Sequence, residues 1–141
     1  TKNSKQQKIM QFKKYNNRFF RHSISAPFIY SMLIPLVILD IWIETYHRVA
    51  FATYGLKYIK RKSYIKIDRH KLKYLTFFEK LNCIYCGYAN GLLNYSCAIA
   101  AETEKYWCGI KHKYDENFIE PQHHAEFIPY DEEDAYIKLS E

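Results

Sequence analysis

Cys83 and Cys86, two thiols three positions apart in Cys83-Ile-Tyr-Cys86-Gly87-Tyr88, hold the clearest chemical potential in this chain. Two thiolates so spaced grip one metal ion when the backbone folds as a tight turn, and Gly87 supplies the freedom such a turn needs. In Cys108-Gly-Ile-Lys-His112 a thiolate and an imidazole stand four positions apart, on one face if that segment is helical. Cys83, Cys86, Cys108 and His112 together make a tetrahedral three-Cys-one-His set, for which zinc is the expected ion and iron the alternative. Cys97 offers a four-Cys alternative, and His123 and His124 are further candidate ligands. His112 is preferred to Cys97, which falls mid-row on an apolar helix face, where a free cysteine serves as a small hydrophobe. A closed four-ligand site leaves no position for substrate, so its expected role is structural.

Other polar groups carry weaker signals. Glu44-x-x-His47 is half of a carboxylate-bridged di-metal pattern, but with Asp40 and Arg48 it also makes an ordinary polar helix face, and that is the expectation. Asp68, Arg69 and His70 could line a hydrolytic site, yet no Ser or Cys nucleophile stands in a recognisable context. The sequence therefore points away from an enzyme and implies no small-molecule substrate.

The elements that must position these groups are mostly helical. The expected fold is mainly α, a small helical domain built around a single zinc site, with a re-entrant or interfacial hydrophobic helix towards the N-terminus. Leu72, Leu75, Phe78 and Leu81 mark a helix over 71–82, and Asn90 is placed to cap a second running to about Lys105. A short helical turn is expected from Trp107 to His112, an extended segment at 64–67, and a short amphipathic helix near 132–139.

Residues 26–43 form the most apolar stretch, including Phe28, Ile29, Leu33, Ile34, Pro35, Leu36, Val37 and Trp42 as the expected membrane-binding residues. Eighteen residues interrupted by Pro35 and Asp40 are borderline for a span of about 20. Both flanks are basic, so one crossing would leave one of them on the wrong side. A helical hairpin bent at Pro35 satisfies both. Four segments are expected: a basic arm (1–25), a membrane-associated helix (26–56), a basic connector with the helical metal domain (57–113), and an acidic tail (114–141).

Charge divides in the same sense. Up to Tyr74 sixteen Lys and Arg stand against three acids, and beyond it five Lys against twelve acids. Lys60, Arg61, Lys62 and Lys66, interleaved with Tyr and Ile, suit a headgroup belt of anionic lipid and, less well, nucleic acid. The first 22 residues are polar and basic with no early apolar core, so no cleavable signal is expected and the cysteines are placed in a reducing compartment.

Two resemblances accompany these patterns. C-x-x-C-G is similar to one knuckle of rubredoxins and zinc ribbons, although a rubredoxin needs a second C-x-x-C, which this chain lacks. The runs I-D-R-H-K-L, E-K-L-N-C-I-Y-C-G-Y-A-N-G and T-E-K-Y-W-C-G-I-K-H resemble an uncharacterised bacterial family of membrane-associated proteins, over roughly residues 26–136. That resemblance implies recurring Cys and His at Cys83, Cys86, Cys108 and His112, and no activity. The expected function is a non-catalytic, zinc-binding accessory protein in a larger complex, on the cytoplasmic face of the bacterial inner membrane. Its expected partners are anionic lipids and other protein subunits. The alternatives are a rubredoxin-like, membrane-docked electron carrier with iron at the cysteines, and an RNA- or ribosome-associated zinc protein.

Overall fold

The computed structural model of the chain describes residues 17–140 and is mainly helical. Most of the basic arm, residues 1–16, lies outside the described residues; the helix begins at Arg18, within the last part of that arm. Four α-helices occur among the described residues: α1 (Arg18–Ser31), α2 (Leu33–Tyr54), α3 (Phe77–Trp107) and α4 (Glu133–Ser140). The described residues form two compact units that divide between Ile41 and Trp42.

In the first unit, α1 passes into α2 through the single turn residue Met32; the helical run Phe19–Tyr54, whose end belongs to the second unit, is long and apolar enough to cross a membrane. The expected hairpin at Pro35 is not the arrangement found. Pro35 sits in the first turn of α2, where its missing N–H costs nothing because early helix donors have no intrahelical acceptor. The interruption therefore falls three residues earlier, and the helix resumes with the Leu36 N–H donating to the Met32 carbonyl at 3.2 Å. Of the eight expected membrane-binding residues, seven are exposed and Leu36 is buried. Leu36 thus contributes packing rather than a lipid-facing surface.

The second unit is built on α3, a helix of 31 residues. It starts at a reciprocal cap in which Thr76 Oγ1 accepts from the Glu79 N–H at 3.4 Å and Glu79 Oε2 accepts from the Thr76 N–H at 3.0 Å. From there it runs unbroken through Cys83, Cys86, Gly87 and Asn90, replacing the two helices and metal-binding turn that the spacing predicts. Asn90 does not cap a helix; its amide donates to the Cys86 carbonyl one turn back, at 3.0 Å. Gly87 likewise forms no turn. A Cβ on Gly87 would lie 3.0 Å from the Lys66 carbonyl oxygen, and one on Gly91 2.8 Å from the Ile65 Cα. The two glycines clear a groove for the segment 64–67, which lies directly against the helix backbone and begins in a turn at Tyr64 rather than as the extended segment expected.

The core joins the end of α2 to the middle of α3 through the buried Ala50, Phe51, Leu92, Tyr95 and Ile99. Each large apolar side chain so buried contributes roughly 1.5–3 kcal/mol before entropy costs. His47 meets Tyr95, and Tyr54 stacks on Tyr106 with ring centroids 4.6 Å apart. These pairings advance together along both helices, so α2 and α3 run in the same direction. The connector between them must return, and it does so through the 3-10 turns Arg61–Ser63 and Arg69–Lys71.

Candidate metal centre

Two polar clusters lie in the second unit. The inner one is a closed chain of hydrogen bonds around His47, which is only 2% exposed. The Ile59 N–H donates to His47 Nε2 at 3.1 Å, leaving Nδ1 to carry the proton of the neutral ring. Nδ1 lies 2.9 Å from the Tyr95 hydroxyl, which donates to Glu44 Oε2 at 3.0 Å, while Arg48 Nε donates to Glu44 Oε1 at 2.9 Å. Burial, followed by the hydrogen bond to the Glu44 carboxylate, pushes the Tyr95 phenol up to about 12. Both His47 nitrogens are engaged, so Glu44-x-x-His47 is no half-site for metal. It is part of a polar helix face, with Arg48 exposed and Asp40 and Glu44 half-buried, from which only His47 is taken into the core.

The second cluster forms where α3 ends. Gly109, with φ 60°, terminates the helix; the Cys108 and Gly109 amides both donate to the Glu104 carbonyl, at 2.8 and 3.0 Å. This end replaces the helical turn expected from Trp107 to His112. The chain then loops out and is tied back by a parallel bridge between Ile110 and Ile128, with the Lys111 N–H on the Ile128 carbonyl and the Ile128 N–H on the Gly109 carbonyl. That tie folds the 3-10 turn Gln122–Glu126 onto the last turn of α3. Residues 121–128 of the expected acidic tail are thus a packed part of this unit, with His124 and Phe127 buried.

Glu104 lies at the centre of this cluster. Its Oε2 accepts from His123 Nε2 at 2.8 Å, and its Oε1 lies 3.2 Å from His124 Nε2. The hydrogen bonds from His123 and then His124 hold the Glu104 carboxyl below the usual carboxylate range, against the opposing effect of burial. His124 is 1% exposed, stacks on Phe127, and has its other ring nitrogen, Nδ1, buried with no hydrogen-bond partner. Burying an imidazole nitrogen without a partner costs roughly 1–3 kcal/mol. The exposed His112 approaches from the opposite strand of the loop, its ring 5.6 Å from that of His124. One ligand atom from each of Glu104, His112 and His124 falls within 4.8 Å of the others, a spread that one metal ion can bridge. Beside them Lys105 pairs with Glu126, an exposed contact that raises the ammonium pKa and lowers the carboxyl pKa.

The structure therefore regroups the ligand candidates. His112 and His124 meet, His123 stands behind Glu104, Cys83, Cys86 and Cys97 lie further back along α3, and Cys108 ends the helix beside the cluster without joining the three grouped ligands. Cys83 is half-buried, and Cys86, Cys97 and Cys108 are exposed, all as free thiols. At 1.5 Å per residue, Cys86 and Cys108 are roughly 30 Å apart along α3. One ion cannot bind both, which corrects the expected set of Cys83, Cys86, Cys108 and His112. Cys97, between them, is about 16 Å from each and rescues no four-Cys site. Glu104 was legible only as a member of an apolar row with Leu93, Cys97 and Ala100. A second Glu-x-x-His, Glu120 to His123, also stands in the sequence, but on non-helical backbone its Glu120 turns to Lys111, at 3.6 Å.

The expected basic surface is mostly present. Lys60, Lys62 and Lys66 are exposed, while Arg61 is half-buried with its guanidinium 5.9 Å from the centre of the Tyr95 ring. Comparison with protein families, curated proteins and solved structures finds no match to this chain.

Proposed function

We propose that this chain is a membrane-anchored, zinc-binding accessory protein whose metal is held by Glu104, His112 and His124. The observation that carries the metal is the convergence of one ligand atom each from Glu104, His112 and the buried His124 within 4.8 Å of one another. Zinc takes carboxylate oxygen and imidazole nitrogen readily, and iron is the alternative for a two-His-one-carboxylate set. Bound there, zinc would pin the returning loop to the end of α3 across residues far apart in sequence, a structural role. His123, on the same carboxylate, acts as its outer partner.

The anchor is the helix within Phe19–Tyr54. Phe28, Ile29, Leu33, Ile34, Val37 and Ile38 are exposed and, at 100° per residue, occupy all sides of it. An interfacial helix needs a polar face, which this stretch lacks, so the surroundings that suit it are hydrocarbon. Both flanks are basic, and the connector side, with nine Lys and Arg from Arg48 to Lys73 against seven up to Arg21, favours placing the folded unit on the cytoplasmic face of a bacterial inner membrane, against anionic lipid and neighbouring subunits.

Metal analysis of the purified full chain tests the centre. About one zinc per chain is expected, lost in His124→Ala and Glu104→Gln and retained in Cys83→Ser; wild-type protein that binds no metal ion would sink the reading. A second reading rests on the ligand count, since three protein ligands with His112 exposed resemble a catalytic zinc set with water in the fourth position. X-ray absorption separates the two: four protein ligands favour the structural role, three plus a water oxygen favour metal-assisted hydrolysis.

A further inference from the structure

The start of α3 carries an exposed apolar patch that the metal centre does not use. Phe77 and Phe78 are each 75% exposed and meet edge to face with centroids 5.7 Å apart. Leu72 and Tyr74 precede them, and Leu81 and Ile84 continue the surface one and two turns on, all exposed. Phe77, Leu81 and Ile84 share one helix face by their i, i+4, i+7 spacing. Thirteen residues seldom leave six large apolar side chains in solvent without a purpose.

The charges around the patch identify its occupant. Arg69, Lys71 and Lys73 are exposed and alternate with His70, Leu72 and Tyr74, and Lys80 follows within the helix. The nearby acids are already engaged: Asp68 lies 3.4 Å from Lys66, and Glu79 is held in the Thr76 cap. Cations rimming exposed aromatic rings match a bilayer interface, where rings enter the acyl boundary and ammonium groups meet phosphate. A protein partner of ordinary composition would not need this ring of cations, for which no acidic partner occurs among the described residues.

We infer that the segment from Arg69 to Ile84 is a second membrane contact, inserting Phe77 and Phe78 into the interface of an anionic phospholipid bilayer. It goes beyond the apolar anchor and rests on the membrane reading only in requiring a bilayer within reach. The contact would hold the folded unit against the membrane surface rather than leave it free on its tether.

The test uses the full chain reconstituted in vesicles of phosphatidylcholine with or without phosphatidylglycerol. A photoreactive p-benzoylphenylalanine replaces Phe78 in one preparation, the exposed Asn94 of the same helix in a second, and Ile38 of the anchor in a third. Phospholipid adducts are expected at position 78, well above those at 94. They should rise with phosphatidylglycerol and fall about tenfold or more in Lys71→Ala/Lys73→Ala. Adducts at 38 but none at 78 overturn the second contact and leave the anchor standing. Adducts at neither position overturn both. Protein adducts at 78, to a second copy or another chain, overturn the lipid assignment in favour of a protein interface.

Discussion

Replacing Gly91 by Ala separates what helix propensity dictates from what tertiary contact dictates. In an exposed helix interior the change stabilises by roughly 0.8–1 kcal/mol, because Ala loses less backbone entropy and forms helix better. At Gly91 the new methyl would lie 2.8 Å from the Ile65 Cα and 2.8 Å from the Tyr64 carbonyl oxygen, both backbone atoms that no rotamer change can move. Relief requires the segment 64–67 to lift off α3. That would also disturb the ring contact of Tyr64 with Tyr95, at 5.9 Å between centroids. Overpacking of this kind costs about 1–3 kcal/mol, and more where only backbone can yield. We expect Gly91→Ala to destabilise the second unit by roughly 2 kcal/mol net, the opposite sign to the propensity effect. Urea unfolding of the full chain in detergent micelles, followed by far-ultraviolet circular dichroism, measures it as a lower midpoint at unchanged slope. A midpoint equal to or above that of the wild type would refute the close approach of connector and helix.

The Tyr95 phenol makes stability depend on alkaline pH. Its pKa is raised from 10.0 to about 12 in the folded chain, so the neutral phenol favours folding. This contribution is complete below pH 10 and is lost as pH climbs through 12, up to about 2–3 kcal/mol in all. Denaturation midpoints measured from pH 9 to 12 should show the loss, and Tyr95→Phe should remove it. The same substitution is expected to cost about 2 kcal/mol at neutral pH, because the Glu44 carboxylate and His47 Nδ1 lose their shared partner. In the metal assay, Cys83→Ser/Cys86→Ser should leave zinc stoichiometry within error of wild type; a fall to half or less would return the cysteines to the centre.

Part of the candidate site was visible from composition and spacing. His112 and His124 are two of the chain's six histidines and were both among the candidate ligands, and both reach the cluster. Glu104 was hidden because a carboxylate on an exposed helix turn is common, and nothing local marks one as a ligand. His123 comes from 19 positions away, with His124 next to it, through the tie between Ile110 and Ile128. The cysteine pair illustrates the converse: C-x-x-C-G fits a metal-binding turn, but it also fits a helix interior. The Thr76 cap and the apolar residues on either side carry the helix through it.

By itself the sequence determined the features that depend on neighbours within a turn or two of helix. These are the mainly α character, the apolar stretch that becomes a long helix, the short helix near the C-terminal end, and the separation of basic from acidic halves. The tertiary structure decided where long-range chain paths bring distant residues. It placed Gly87 and Gly91 beneath the returning connector backbone, linked the half-buried Glu44 to the buried His47 and Tyr95 by hydrogen bonds, and drew Glu104, His112 and His124 together. The physical reason is that helix periodicity correlates residues only over the few positions that share a face. Which loop closes on which helix end depends instead on packing and hydrogen bonds summed over the whole unit, and no local pattern encodes that sum.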